Sequence, residues 1–191
     1  NNLSVSGAND FTLNVPLAGA GTFIKSGTGI MTIAPGVDSS STRSGAISSV
    51  TGGILRVQGV KNLSDTGIIT LNGGGGTIEF LRDADTTFPH PVTANGTGTL
   101  HVDRAIGGSG NNGRHTLGTL GMAAGNLTVT GANGYGLSFG PAIITSNSTI
   151  TNNAPGALVL ASLTGNPTST RTLTLGGTGD IQIAGAISEG A

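Results

Sequence analysis

The side chains best suited to chemistry lie in one short stretch, "RDADTTF" at 82–88, where the acidic residues are densest. Asp83 and Asp85 are two positions apart, so in an extended chain their carboxylates project from the same side. Paired carboxylates can bind Ca²⁺ or act as an acid and a base. Calcium prefers six or more oxygen ligands, and only Glu79 is near in the sequence. Asp83 and Asp85 are therefore the candidate metal ligands, with Ca²⁺ as the candidate ion. A solvated loop, in which Arg82 pairs with one carboxylate, is the alternative.

Two glycine motifs match known site patterns but lack the elements that those sites need. "GSGNNG" at 108–113 has the spacing of a dinucleotide-binding loop, which must lead into a helix. The residues that follow, "RHTLGTLGMAAG", are broken by glycines, so the interpretation is a loop between strands. "GLSFG" at 136–140 has the pattern of a nucleophile elbow around Ser138, but Pro141 follows it and every His precedes it. We interpret this segment as the end of a strand.

The remaining metal-site patterns are incomplete. "GGTGDIQIA" at 176–184 differs from the calcium-binding β-roll repeat because Asp180 directly follows Gly179 and no second copy is adjacent. A structural turn is expected there. The three histidines are far apart: His90 lies between two prolines in a loop, His101 should face outward from a strand, and His115 should lie in a loop. A zinc site is not expected from them.

Composition excludes several function classes. The chain has 191 residues, of which 35 are glycine and 9% are charged, and its net charge is −1. Lys and Arg are scattered singly, so nucleic acid is not an expected partner. No apolar run approaches the roughly 20 residues of a membrane-spanning helix. The absence of Cys excludes disulfides, thiol catalysis and thiolate metal sites. The aliphatic content and low net charge predict a folded chain.

The elements that would position these residues are short strands. Apolar and small polar residues alternate with a period of two, and Gly, Asn, Asp or Pro separate the runs. Such runs occur at 3–7, 11–15, 54–59, 68–73, 77–81, 99–103, 126–131, 148–152, 172–177 and 180–185.

An internal similarity favours stacked coils over a closed sandwich. At an offset of 170 residues, the segment 3–17 aligns with 173–187 without a gap and keeps the chemical type at seven positions. A stacked array explains such similarity, because each coil must match the surface of its neighbour. We predict an all-β fold, a right-handed parallel β-helix. At roughly 20 to 25 residues per coil, it would have about eight rungs. Residues 1–191 would form one domain, a unit of a longer array.

Glycine-flanked strands also give the chain a family resemblance. "GAGTFIKSGTGIMTIAPG" at 19–36, "VTGGILRVQG" at 50–59 and "TGIITLNGGGGTIEF" at 66–80 resemble the autotransporter-associated β-strand repeat, also called the passenger-associated transport repeat. Phe23 and Lys25 occupy the first strand of the motif, whereas Met31 and Ile33 stand where Leu is usual. The resemblance implies a β-helix exposed outside the cell, in adhesins or surface fibres of bacteria, and it brings no catalytic residues.

These observations give two functional hypotheses. The first is a non-enzymatic structural module of an extracellular fibre or adhesin, whose partners are adjacent repeats or copies of itself stacked end to end, with cell-surface glycan as a further partner. Its localisation would be extracellular or at the bacterial cell surface, and it would need no cofactor. The alternative is a module that binds or cleaves polysaccharide, for which Arg82, Asp83 and Asp85 are the candidate residues.

Overall fold

The chain folds into short strands throughout the part that can be described. The computed structural model describes residues 2–37, the backbone of 47–48, and residues 50–61, 63 and 67–190. Within these ranges there is no helix, which confirms the predicted all-β class. The strands are β1 (Leu3–Val5), β2 (Phe11–Leu13), β3 (Phe23–Lys25), β4 (Ile30–Ile33), β5 (Ile47–Ser48), β6 (Ile54–Val57), β7 (Ile69–Leu71), β8 (Thr77–Leu81), β9 (Thr86–Thr87), β10 (Val92–Ala94), β11 (Gly98–Asp103), β12 (Arg114–Leu117), β13 (Leu120–Met122), β14 (Asn126–Gly131), β15 (Gly136–Ile144), β16 (Ser148–Asn152), β17 (Leu158–Gly165), β18 (Leu173–Gly177), β19 (Ile181–Ile183) and β20 (Ile187–Ser188).

These strands stack as the coils of a β-solenoid of about seven turns. One sheet contains eight strands in the order β18-β16-β14-β11-β8-β6-β4-β2, and each pair in it is parallel. Strands adjacent in this sheet are never adjacent in sequence, because the chain makes a full circuit between them. The prediction of stacked parallel coils is confirmed. The eight strands of this sheet are joined by about seven turns, in agreement with the expected number of about eight rungs.

Three faces make up each complete coil. Face 1 is the eight-stranded sheet. Face 2 consists of β9, β12, the first halves of β15 and β17, and β19; face 3 consists of β5, β7, β10, β13, the second halves of β15 and β17, and β20. Strand β15 bends from face 2 to face 3, since its first half pairs with β12 and its second half with β13. A separate pair, β1 with β3, is parallel and adjoins face 3 through a bridge between Lys25 and Val50.

Coil length varies, and the longest coil carries the loop that shapes the site described below. The shortest step on face 1 runs from Phe11 to Met31, 20 residues, and the longest from Gly98 to Leu127, 29 residues. The extra residues of the longest step lie between β11 and β12. This step is longer than the range expected from the sequence.

The core is a set of inward columns along the solenoid axis. On face 1, residues such as Leu55, Ile78 and Leu100 lie in register one above the other and are fully buried. The residues between them project outward and are half-buried, as the period-two alternation predicts. Burying these aliphatic side chains supplies most of the stability of each coil, at about 25 cal/mol per Å² of apolar surface.

The two segments similar at offset 170 lie on different faces of the solenoid. Strand β1 pairs with β3, next to face 3, whereas its counterpart in sequence, β18, lies within face 1. Likewise β2 is on face 1, and its counterpart β19 is on face 2. The 170-residue repeat unit stays a prediction. In the described part of the chain, no helix is long and apolar enough to cross a membrane.

Candidate functional site

Asp83 and Asp85, the predicted cation ligands, fasten a loop at its two ends. The loop comprises residues 104–113, between β11 and β12. The Asp83 carboxylate accepts hydrogen bonds from the backbone amides of Ala105 (3.2 Å) and Ser109 (3.4 Å). Asp85 accepts one from the amide of Arg114 (2.8 Å). Within the described ranges, no group of three or more His, Cys, Asp or Glu side chains is placed to hold a metal ion. The observed contacts of both carboxylates are structural, and Ca²⁺ binding stays a prediction.

The "GSGNNG" motif lies in this loop, and its glycines allow close approach to the coil beneath. A Cβ on Gly108 would overlap the Asp83 carboxylate, and one on Gly110 would overlap the Tyr135 hydroxyl. On Gly113, a Cβ would come within 2.5 Å of the Tyr135 ring. The motif therefore packs a loop against a neighbouring coil. It leads into strand β12, in agreement with the prediction that no dinucleotide-binding helix follows.

Below the loop, four ring side chains are in sequential contact inside the solenoid. Phe80 packs on Phe88 with ring centroids 4.8 Å apart, Phe88 meets His115 edge-on at 5.6 Å, and His115 lies 5.2 Å from Tyr135. The Tyr135 hydroxyl donates to the carbonyl oxygen of Asp83 (2.7 Å). Burial raises the pKa of Tyr135, and the neighbouring carboxylates, first Asp83, raise it further. This arrangement holds Asp83 in place from below.

His115 is an interior residue, which corrects the expectation that it lies in a loop. It belongs to β12 and is fully buried, because the alternation in "RHTL" turns it inward. Its Nε2 lies 3.0 Å from the carbonyl oxygen of Asp103, while its Nδ1 is buried without a hydrogen-bond partner. Burial lowers the pKa of His115; the Asp103 carbonyl and the Asp85 carboxylate partly oppose this, and Arg82 adds to it.

Acidification should therefore destabilise the protein through His115. Because the folded pKa lies below the unfolded value of about 6.5, the unfolded chain takes up the proton more readily. The contribution of neutral His115 to the free energy of unfolding is fully present above pH 6.5. This contribution is lost as the pH falls from there toward the folded pKa, at up to about 1.4 kcal/mol per pH unit. Urea unfolding between pH 7.5 and 5 measures this slope. His115→Phe should flatten this slope, and an equal slope in the His115 variant would refute the assignment.

The other sequence-derived candidates lie in separate places. His101 faces outward from β11, as predicted, and its Nδ1 lies 3.0 Å from the Thr130 hydroxyl. His90 lies outside the strands, as predicted, but is fully buried, and its Nδ1 is 3.1 Å from the carbonyl oxygen of Gly67. Ser138 is the third residue of the nine-residue strand β15, so "GLSFG" begins this strand and does not end it. Asp180 immediately precedes β19, consistent with the expected turn.

Lys25 is a buried cation that the sequence does not reveal as one. It occupies an inward position of β3 and is 2% exposed. Its Nζ donates to the carbonyl oxygens of Ser26 (2.9 Å), Gly27 (3.1 Å) and Gly52 (3.3 Å). Burial lowers the pKa of Lys25, and the Asp10 carboxylate partly opposes this. Lys25 thus joins the corners of two successive coils.

A polar cleft on the outer surface of face 1 was not anticipated from the sequence. We call it the outer cleft. It has a volume of about 320 Å³ and is lined by Arg56, Glu79, Leu81, His101, Asp103, Arg104 and Asn133, with residues 105–107 as one wall. The cleft could have been predicted from the residues that share an outward position in successive coils. Three coils place Arg56, Glu79 and His101 in register at such a position.

The charged groups of the outer cleft hold one another in fixed positions. Arg56 forms an ion pair with Glu79 through Nε and Oε2. Asp103 Oδ1 accepts hydrogen bonds from Asn133 Nδ2 (2.7 Å) and from the amide of Arg104 (2.8 Å). The wall at 105–107 belongs to the loop that Asp83 fastens. Asp83 therefore contributes to the cleft indirectly, by positioning its wall.

Comparison with known proteins identifies no relative of this chain. No protein-family model matches the chain, and no curated protein and no solved structure is significantly similar to it.

Proposed function

We propose that this chain is a structural module of an extracellular bacterial fibre or adhesin, which joins neighbouring modules end to end by continuing its β-coils. The neighbours are adjacent repeats in a longer chain or further copies of this one. No catalytic step and no cofactor is part of the proposal.

The observation that carries the proposal is the exposure of inward positions in both terminal coils. Leu3 and Phe11 are in register with the buried residues Phe23 and Met31, yet they are 48% and 37% exposed. At the other end, Leu175 is in register with buried Ile150 and is 42% exposed. These side chains are core residues that lack the next coil.

The backbone at both ends supports the same proposal. Strand β2 is the first strand of face 1 and β18 is the last, so each has one unpaired edge in the described structure. Open edges of parallel strands favour pairing with a further strand. Because the two ends differ, their pairing is head to tail and does not close into a ring by a twofold axis. A fibre is the expected product.

The extracellular bacterial setting rests on the resemblance to the autotransporter-associated repeat. The structure supplies a physical reason for the two parts of that motif. Lys25 and the glycines after it form one corner, and Gly52 and Gly53 of "VTGGILRVQG" stack on that corner from the next coil. These two segments of the chain therefore stack one coil on the next, which supports a structural function.

Assembly in solution tests the proposal. Sedimentation velocity from about 1 to 500 µM, with negative-stain images of the same samples, should show oligomers that lengthen with concentration. Leu175→Lys places a charge on the C-terminal apolar end and should abolish assembly. The matched control is Ile143→Lys, because Ile143 is 45% exposed but lies outward in the middle of the solenoid. Monomeric wild-type protein at the highest concentration would contradict the assembly of separate copies, and equal loss of assembly in both variants would contradict stacking through the C-terminal end.

Polysaccharide binding is a second candidate function, and the outer cleft is the observation that favours it. Polysaccharide binding is compatible with end-to-end stacking, because the cleft lies on a side of the solenoid and the stacking surfaces lie at its ends.

A further inference from the structure

In the outer cleft, two carboxylate oxygens have no hydrogen-bond partner among the described residues, although the side chains that carry them are held in place. Glu79 uses Oε2 for Arg56, and Asp103 uses Oδ1 for Asn133 and Arg104. Within the described residues, Glu79 Oε1 and Asp103 Oδ2 accept no hydrogen bond. Two acceptors on adjacent strands are thus available to hydroxyl donors of a ligand.

Arg104 adds a cation to these acceptors. Its backbone amide is bonded to Asp103, but its guanidinium forms no hydrogen bond or ion pair with the described part of the chain. A guanidinium group presents a planar fork that matches a carboxylate in a bidentate manner. The charges of Arg56 and Arg104 balance those of Glu79 and Asp103, so a ligand with one negative charge near Arg104 meets no net repulsion.

The size of the cleft suits a sugar ring. A volume of about 320 Å³ is at the lower end of the roughly 300–1,000 Å³ typical of small-molecule sites. Ile106, in the wall, is 61% exposed and offers an apolar surface for the C–H face of a ring. A sugar ring with hydroxyl groups and one carboxylate could donate hydrogen bonds to the two acceptors, pair with the cation and pack its apolar face on Ile106.

We propose that the outer cleft binds an acidic sugar unit of a polysaccharide, a hexuronate. Arg104 binds its carboxylate, and Glu79 and Asp103 accept hydrogen bonds from its ring hydroxyls. This inference does not depend on end-to-end assembly, because every contact is made within one copy of the chain.

Calorimetric titration with defined oligosaccharides tests the inference. The titrants are trimers of galacturonate and of glucuronate, their carboxyl-reduced neutral counterparts, and inorganic phosphate. The protein carries Leu175→Lys, so that assembly does not contribute heat; if that variant still assembles, the same titrations are read by NMR at low protein concentration. At least one uronate trimer should bind saturably, with the neutral counterpart binding at least 10-fold more weakly.

Variants of two arginines locate the site. Arg104→Ala should weaken uronate binding at least 10-fold without loss of folding, since its guanidinium has no hydrogen bond to any described residue. Arg171→Ala, in a loop of another coil, should leave binding unchanged. The inference is overturned if neither uronate binds at millimolar concentration, or if Arg104→Ala binds as the wild type does. Equal affinity for the neutral trimer, or equal competition by phosphate, would also overturn it.

Discussion

Gly53→Ala should lower the free energy of unfolding by about 3 kcal/mol, one of the two largest effects that we expect from a single substitution. Gly53 has a φ of +63°, and a Cβ there would lie 2.5 Å from the carbonyl oxygens of both Gly27 and Gly29 in the preceding coil. The backbone cannot move away without breaking the register of β4 and β6. Thermal unfolding should show a decrease in Tm of roughly 6–12 °C.

Gly75→Ala is the matched control for this substitution. Gly75 has a similar φ, +72°, but a Cβ there would have no atom within 4 Å. Its cost should be only that of the left-handed conformation, about 1 kcal/mol. The difference between the two variants measures the close approach of stacked coils, and equal losses would show that the approach is not as tight as described.

Lys25→Met should have the second large effect, a loss of about 2–4 kcal/mol. Met keeps the length of the side chain but cannot donate, so the corner carbonyl groups of Ser26, Gly27 and Gly52 lose a charged donor in a buried place. Urea unfolding measures the loss.

Lys61→Met provides the comparison for Lys25→Met. Lys61 is the only other lysine and is exposed, so this change should cost less than about 0.5 kcal/mol. If Lys25→Met were equally mild, Lys25 would not be the link between corners that its contacts indicate.

Much of the fold follows from alternation in the sequence. The predicted segments 77–81, 126–131 and 148–152 coincide with strands β8, β14 and β16, because their apolar residues alternate cleanly and turn residues bound them. Stacking was also predictable, since many short strands rich in glycine need neighbouring coils to bury their inward residues.

Other strands are not evident from the sequence because glycine interrupts the alternation of apolar and polar residues. In "RHTLGTLGMAAG", Gly121 takes an outward strand position in β13, and Gly118 lies at a corner where a Cβ would come within 2.9 Å of the Pro91 nitrogen. The loop assignment of His115 was wrong for this reason. Strand β12 continues the alternation, and this turns the imidazole inward.

The candidate site was harder to predict because it depends on which residues lie in register. Coil length varies from step to step, so the sequence alone does not align Arg56 with Glu79 or Glu79 with His101. The pair Asp83 and Asp85 is evident in the sequence. Its contacts with backbone amides 22 to 29 residues later are not, because they depend on the long coil. The burial of Lys25 does not follow from the sequence because a charged residue is not expected at an inward position.

Cysteine cross-linking between copies is the most direct test of end-to-end stacking. Thr12 of β2 and Thr174 of β18 are exposed outward positions at opposite ends of face 1, and the chain has no native Cys. If β18 of one copy pairs with β2 of the next, their Cα atoms should lie about 5 Å apart, within the range of a disulfide. Thr99→Cys, at an outward position in the middle of face 1, serves as the control partner.

The measurement is oxidation of an equimolar mixture of Thr12→Cys and Thr174→Cys proteins, analysed by intact mass. The expected result is a disulfide heterodimer as the main product, with little homodimer of either variant and little product when Thr99→Cys replaces one partner. Monomers alone, or homodimers in preference to the heterodimer, would contradict the head-to-tail continuation of the β-coils.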